Sequence, residues 1–172
     1  PDCQQWTTGR RLEKLLLDIL QQHRFQPGVG SNAYMGKAFH ALLTRIRHSA
    51  HHRIGWHCDD AITYVPEDPI VYLNWGATGV VLIRPRNRRN QQVKVLVAQP
   101  GDVYIFGGTF QEQFEHAEPP LCHWPDILER YRSDMQLDEI QAMAEEIARL
   151  GHVERVRHYM SVRWHTNHFT AC

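Results

Sequence analysis

No apolar run in this sequence approaches the roughly 20 residues that a bilayer-crossing helix needs, which excludes such a helix as its organising element. The four cysteines, Cys3, Cys58, Cys122 and Cys172, are scattered and form no CxxC pair. That argues against a disulfide framework or a zinc ribbon and suits a reducing, intracellular compartment. Net charge is zero, so there is no whole-molecule attraction to nucleic acid. Lysine is scarce, found only at 14, 37 and 94, and the positive charge is carried by arginine. Arg84, Arg86, Arg88 and Arg89 form one cluster, and Arg155, Arg157 and Arg163 a looser one. The first cluster, in RPRNRRN, reads either as a solvated hairpin tip or as a phosphate contact. The opening PDCQQWTTGRRLEKLL lacks the basic-then-apolar layout of a secretory signal, and without an initiator Met it reads as the start of an excised domain. Internal repeats, low-complexity segments and a domain linker are also missing.

What is present fits one monomeric domain over residues 1–172, with 42% apolar and 22% charged residues. Leu12, Leu15, Leu16, Ile19 and Leu20 fall on one helical stripe and predict an amphipathic helix over residues 9–23, followed by a loop to residue 40. From residue 41 the period changes. ALLTRIR, DPIVYLNW, TGVVLIRP, QVKVLVA and GDVYIFG are short β-branched or aromatic runs separated by turn chemistry, with QPGD the clearest turn. Helical periodicity returns across 119–152, in PDILERYR and in LDEIQAMAEEIARLG, where Gly151 marks the stop. RVRHYMSVRWH reads as a closing strand. The whole is an α+β domain built around a β-sandwich or jelly roll, with an N-terminal helix and a helical insertion before the last core strand.

Within GWHCDD, His57 and Asp59 are two residues apart. On an extended segment alternate side chains share one face, so imidazole and carboxylate point to the same place. Two histidines and one carboxylate on one face of an octahedron leave positions open for a cosubstrate and dioxygen, the arrangement of non-haem Fe(II) oxygenases. His116, in FQEQFEHAEPP, is the candidate third ligand because it follows the PGDVYIFGG strand and turn. Competing readings are a surface histidine cluster of His48, His51 and His52, and a zinc site using Cys58 with His57.

The ordered set IGWHCDD, PIVYLNWG, GVVLIRP, QPGDVYIFGG, FEH and RHYMSVR resembles the AlkB-like family of Fe(II)/2-oxoglutarate-dependent dioxygenases over residues 41–165. The resemblance implies a double-stranded β-helix, a jelly roll with the metal at one end, and the cofactors Fe(II) and 2-oxoglutarate. It implies His57, Asp59 and His116 as metal ligands. Arg157 and Arg163, six residues apart, would then take the distal carboxylate of 2-oxoglutarate and the metal-bound end respectively. Guanidinium suits that task, being a fixed bidentate cation. The alternative for this pair is two surface arginines on an edge strand. Tyr72 and Asn74 alternate on one strand and would line the pocket or pack in the core. The sequence departs from the family in two places. Upstream of HxD, where members often carry an Asn and a Tyr, it has RIRHS, leaving Arg45, Arg47 or His48 as substitutes. Two residues past the metal Asp, where many nucleic-acid demethylases are acidic, it has Ala61, with Asp60 turned away by alternation.

The implied activity is hydroxylation or oxidative demethylation of a methylated nucleic acid, using O2 and yielding succinate and CO2. Trp56, Trp75 and Trp164 are available to stack on bases. A protein side chain or small molecule is the alternative substrate, and a binding module that keeps the fold without useful turnover is the alternative class.

Overall fold

The computed structural model describes residues 38–48, 50–59, 69–87, 93–151 and 155–165, plus the isolated positions 11, 14, 15 and 18, which are helical. Beyond those four positions the expected helix at 9–23 lies outside the described residues, as do Asp60, Ala61, Arg88 and Arg89.

Among the described residues, eight strands make two four-stranded antiparallel sheets. They are β1 (Ala38–His48), β2 (Ile54–His57), β3 (Ile70–Gly76), β4 (Gly79–Pro85), β5 (Lys94–Ala98), β6 (Val103–Phe106), β7 (Phe114–Glu118) and β8 (Arg155–His165). One sheet has the order β1-β8-β3-β6 and the other β2-β7-β4-β5. Apart from the β4–β5 hairpin, each strand hands over to the opposite sheet. That is a jelly roll, a double-stranded β-helix with helices added. Strand β8 lies between β1 and β3, so its arginines are on an interior strand and the edge-strand alternative is overturned.

Turn chemistry sets the crossings. Gly76, at φ +86°, ends β3, and a Cβ there would meet the Val156 carbonyl oxygen at 2.4 Å. In QPGD, Pro100 precedes Gly101 at φ +98°, the left-handed position that a type II turn reserves for glycine. The Asp102 carboxylate accepts from Gln99 N–H at 2.7 Å and closes that turn.

Among the described residues, three helices follow β6: α1 (Phe110–Gln113), α2 (Trp124–Tyr131) and α3 (Leu137–Ala148), with 3-10 turns at Leu121–His123 and Arg132–Asp134. Pro125 sits in the first turn of α2, and the Glu139 side chain caps the first turn of α3 by accepting from Gln136 N–H at 2.7 Å.

Strand β4 reads GVVLI without the alternation of a half-exposed strand, and packing explains why. Val81 and Ile83 face the barrel interior with Ile70, Tyr72 and Phe106. Val80 and Leu82 face the other way, into a second core with Val97, Leu121, Trp124, Ile127 and Met143. The helical insertion therefore covers the outer face of β4 and β5, and both faces of β4 are buried. Glu146 of α3 pins it, accepting from Arg155 at 2.8 Å and from Thr78 N–H at 3.3 Å.

Met143 is fully buried at the centre of that second core. Met143→Ala is expected to lower unfolding stability by about 2–5 kcal/mol, read as a reduced midpoint in urea denaturation.

Candidate metal centre

His57 closes β2, and His116 lies directly opposite it on β7. The register shifts between Ile54 and His57, and such an irregularity re-aims the side chains that follow it. The two rings lie 4.2 Å apart between centroids. Asp59, two residues past His57, completes the set. One ligand atom from each of the three residues falls within 4.8 Å of the others, the only such His/Cys/Asp/Glu group among the described residues. Asp59 Oδ1 is 3.9 Å from His57 Nε2, and Oδ2 is 3.7 Å from His116 Nε2.

Each member is held by the surrounding fold. The His57 Nδ1–H donates to the Gly55 carbonyl at 2.9 Å, which leaves Nε2 with its lone pair toward Asp59. His116 is 5% exposed, ringed by Phe106 and Phe110 at centroid distances of 5.0 and 6.1 Å. Its pKa is pushed from 6.5 down to about 4, first by burial, then by His57, with Arg163 adding to the fall and Asp59 opposing it. It is therefore neutral near pH 7, the state a metal ligand requires. Asp59 Oδ2 accepts from the Tyr72 hydroxyl at 2.5 Å and lies 3.5 Å from Arg163 Nη2. Burial, then the charge and hydrogen bond of Asp59, raise the Tyr72 pKa well above 10, so the phenol keeps the proton it donates.

The remaining candidates divide. Arg163 comes to the centre, beside Asp59. Arg157 lies within the barrel, 1% exposed, where its Nε donates to Asn74 Oδ1 at 2.6 Å and its Nη1 lies 2.9 Å from Glu118 Oε2. Asn74 is buried, and its amide nitrogen donates to the Ala98 and Gln99 carbonyls. It orients Arg157 and ties β3 to β5. Tyr72 packs in the core, stacked on Tyr104 at 4.8 Å, and its hydroxyl donates to Asp59.

Cys58 turns its thiol to the Phe114 carbonyl, 3.3 Å away, and is not part of the three-residue group. His51 and His52 are exposed and also outside it. Arg84 is engaged inside the protein. It contacts Glu115 at 2.5 Å and lies 3.9 Å over the Trp56 ring. Arg86 donates to the Gln111 carbonyl at 3.0 Å. Trp75 is partly exposed and stacks on His158, and the Trp164 side chain lies outside the described residues.

Two contributors were missed in the sequence. Gln111, buried on α1, accepts from the Asp59 backbone N–H at 2.9 Å, and so fixes the segment that carries the carboxylate. Nothing local marks it. Glu118 shares a face of β7 with His116, two residues away, but the residues of FEHAE carry no strand pattern that would have shown it.

The family model of the 2OG-Fe(II) oxygenase superfamily matches residues 5–135, most of the chain and all three candidate metal ligands. The chain belongs to that superfamily. Its cofactors are therefore Fe(II) and 2-oxoglutarate, and the His57, Asp59 and His116 set fits an iron site by ligand type, proximity and a neutral buried imidazole. No curated protein matches the chain. Among solved structures, OsALKBH1 resembles it at 18% identity and a TM-score of 0.45, over 73% of this chain and 47% of that one. The Drosophila melanogaster CENP-C cupin domain does so at 10% and 0.34, over 71% and 56%. Recombinant oxalate oxidase in complex with glycolate does so at 11% and 0.33, over 81% and 55%. The chain thus spans about half the length of the OsALKBH1 structure.

In metal-free protein the depressed His116 pKa has a consequence for stability. Between pH 6.5 and about 4 the unfolded chain binds a proton there that the folded chain does not. Stability contributed by neutral His116 is then fully present above that window and lost as pH falls through it. Urea midpoints should decline over this interval more in the wild type than in His116→Gln.

Proposed function

We propose that this chain is an AlkB-like dioxygenase in which His57, Asp59 and His116 bind Fe(II), and that it hydroxylates or oxidatively demethylates a methylated nucleic acid. The observation that carries the reading is the convergence of the three ligand atoms within 4.8 Å, with Arg163 3.5 Å from the carboxylate between them. When bound, Fe(II) with 2-oxoglutarate couples the oxidative decarboxylation of that cosubstrate to oxygenation of a C–H bond by O2.

The protein's own part is to hold and to exclude. Tyr72 and Arg163 both act on Asp59 Oδ2 and so fix the orientation of the carboxylate that would hold the metal. Gln111 fixes the Asp59 backbone, and Gly55 fixes the His57 tautomer. Phe106 and Phe110 keep water from the His116 side. His57, whose side chain is 36% exposed, marks the open side, where a substrate enters.

A second reading gives the same chemistry a protein side chain or a small molecule as substrate. The engagement of Arg84 by Glu115 and Trp56 favours it, since that charge is already compensated within the protein.

Purified protein supplied with Fe(II), 2-oxoglutarate and ascorbate is expected to release succinate, and His57→Ala or Asp59→Ala to bring release to background. Turnover unchanged by both substitutions would rule out this centre. A parallel screen of methylated DNA, methylated RNA and peptides separates the substrate readings. Under the nucleic-acid reading, affinity falls with salt, and Arg84→Ala lowers the log–log slope by roughly one if Arg84 meets a phosphate. A slope unmoved by Arg84→Ala assigns that arginine to the Glu115 pair alone.

A further inference from the structure

The cation expected to take the distal carboxylate of 2-oxoglutarate already holds a carboxylate of the protein. Arg157 is enclosed on every side. Its Nε edge is taken by Asn74 at 2.6 Å, its Nη1 by Glu118 at 2.9 Å, and its Nη2 faces the Tyr104 hydroxyl at 3.4 Å. One face of the guanidinium lies against the backbone of Gly79, where a Cβ would sit only 2.2 Å from Cζ. The Tyr159 ring lies 5.0 Å from the same carbon. With a strand backbone and an aromatic ring packed on it, the guanidinium has no room to swing toward an incoming anion. The bidentate Nη1/Nη2 edge that a carboxylate prefers is the edge Glu118 and Tyr104 occupy.

Glu118 is the more exposed partner. It is the last residue of β7, its side chain keeps 13% exposure, and the strand stops there, whereas Arg157 lies inside an eleven-residue strand. It also shares its face of β7 with His116, two residues away, so it belongs to the interior of the candidate site.

We propose that Glu118 is a built-in occupant of the distal-carboxylate seat on Arg157, and that it determines how strongly, and how selectively, this chain binds 2-oxoglutarate. A 2-oxo acid gains from its distal carboxylate only by displacing Glu118. The wild-type protein therefore discriminates weakly between 2-oxoglutarate and a 2-oxo acid of the same length with no distal carboxylate. This inference rests on the Fe(II)/2-oxoglutarate reading of the site and adds to it the residue that sets cosubstrate specificity.

The test is calorimetry of cosubstrate binding to Mn(II)-loaded protein without oxygen, with 2-oxoglutarate and 2-oxopentanoate as the two probes. In Glu118→Gln, 2-oxoglutarate binding is expected to tighten about tenfold, while 2-oxopentanoate stays within about twofold of wild type. In wild type, the preference for 2-oxoglutarate over 2-oxopentanoate is expected to stay below about tenfold. A folded Glu118→Gln that binds 2-oxoglutarate no more tightly than wild type overturns the proposal. So does a wild-type preference of about a hundredfold or more, a measurement that decides the matter even if the variant does not fold. Mn(II) loading is followed separately by electron paramagnetic resonance. Failure to load removes the metal-centre reading and this proposal together, whereas loading with unaltered cosubstrate affinity removes the proposal alone.

Discussion

A buried guanidinium ties the two sheets of this jelly roll together. Arg157 comes from β8 in one sheet, Glu118 from β7 in the other, and Asn74, which binds Arg157 through its oxygen, sends its nitrogen to carbonyls at the end of β5. An unpaired charge in that position would be strongly destabilising, so the arrangement works only as a set. Gly79 shows how far the fold is shaped around it. Its missing side chain is the space in which the guanidinium lies. The glycine that opens β4 is thus a packing requirement of a residue nearly 80 positions later.

The second determinant is the double burial of β4. In a jelly roll the inner face of each strand is covered by the opposite sheet, while the outer face is free to meet solvent. Here the helical insertion takes the outer face of β4 and β5, and Glu146 fastens it to Arg155, two residues before Arg157. The insertion is therefore continuous with the strand that carries Arg157 and Arg163. The β7 strand that carries His116 and Glu118 pairs with β4 on one side and with β2, which carries His57, on the other, so His116 rests on a strand stiffened from behind.

Much of the architecture was legible because period and turn residues act locally. RVRHYMSVRWH is β8 to the residue, QPGD is the β5–β6 turn, and the helices of the insertion fall inside 119–152. The strand FEHAE was not legible as one, since its five residues carry two acids and a histidine and no aliphatic run. Their side chains are accommodated by partners from elsewhere, Arg84 for Glu115 and Arg157 for Glu118. For the site, HxD spacing and the six-residue arginine spacing could be read from the chain. That Gln111 supports the Asp59 backbone could not, because the contact joins positions 52 apart through a four-residue helix without a distinctive pattern. Nor could local sequence show that Arg157 faces a protein carboxylate. That depends on how the end of β7 lies across from β8, which is set by the closure of the two sheets.

Charge balance explains how the barrel tolerates this interior. Arg157 and Arg163 bring two positive charges, Glu118 and Asp59 two negative ones, and each arginine lies within 3.5 Å of a carboxylate. Burying four charged groups is costly, and the cost is reduced when every charge has an opposite neighbour and hydrogen-bonding partners besides. Tyr72 donates to Asp59, Tyr104 and Asn74 accept from Arg157, and both tyrosines stay protonated because burial raises their pKa values. A divalent metal and a dianionic cosubstrate together add no net charge to this set. The same pairing that balances the interior charge without either would therefore keep the site near neutrality with both bound. Without Glu118, the interior would carry an uncompensated guanidinium until a carboxylate came in from solution.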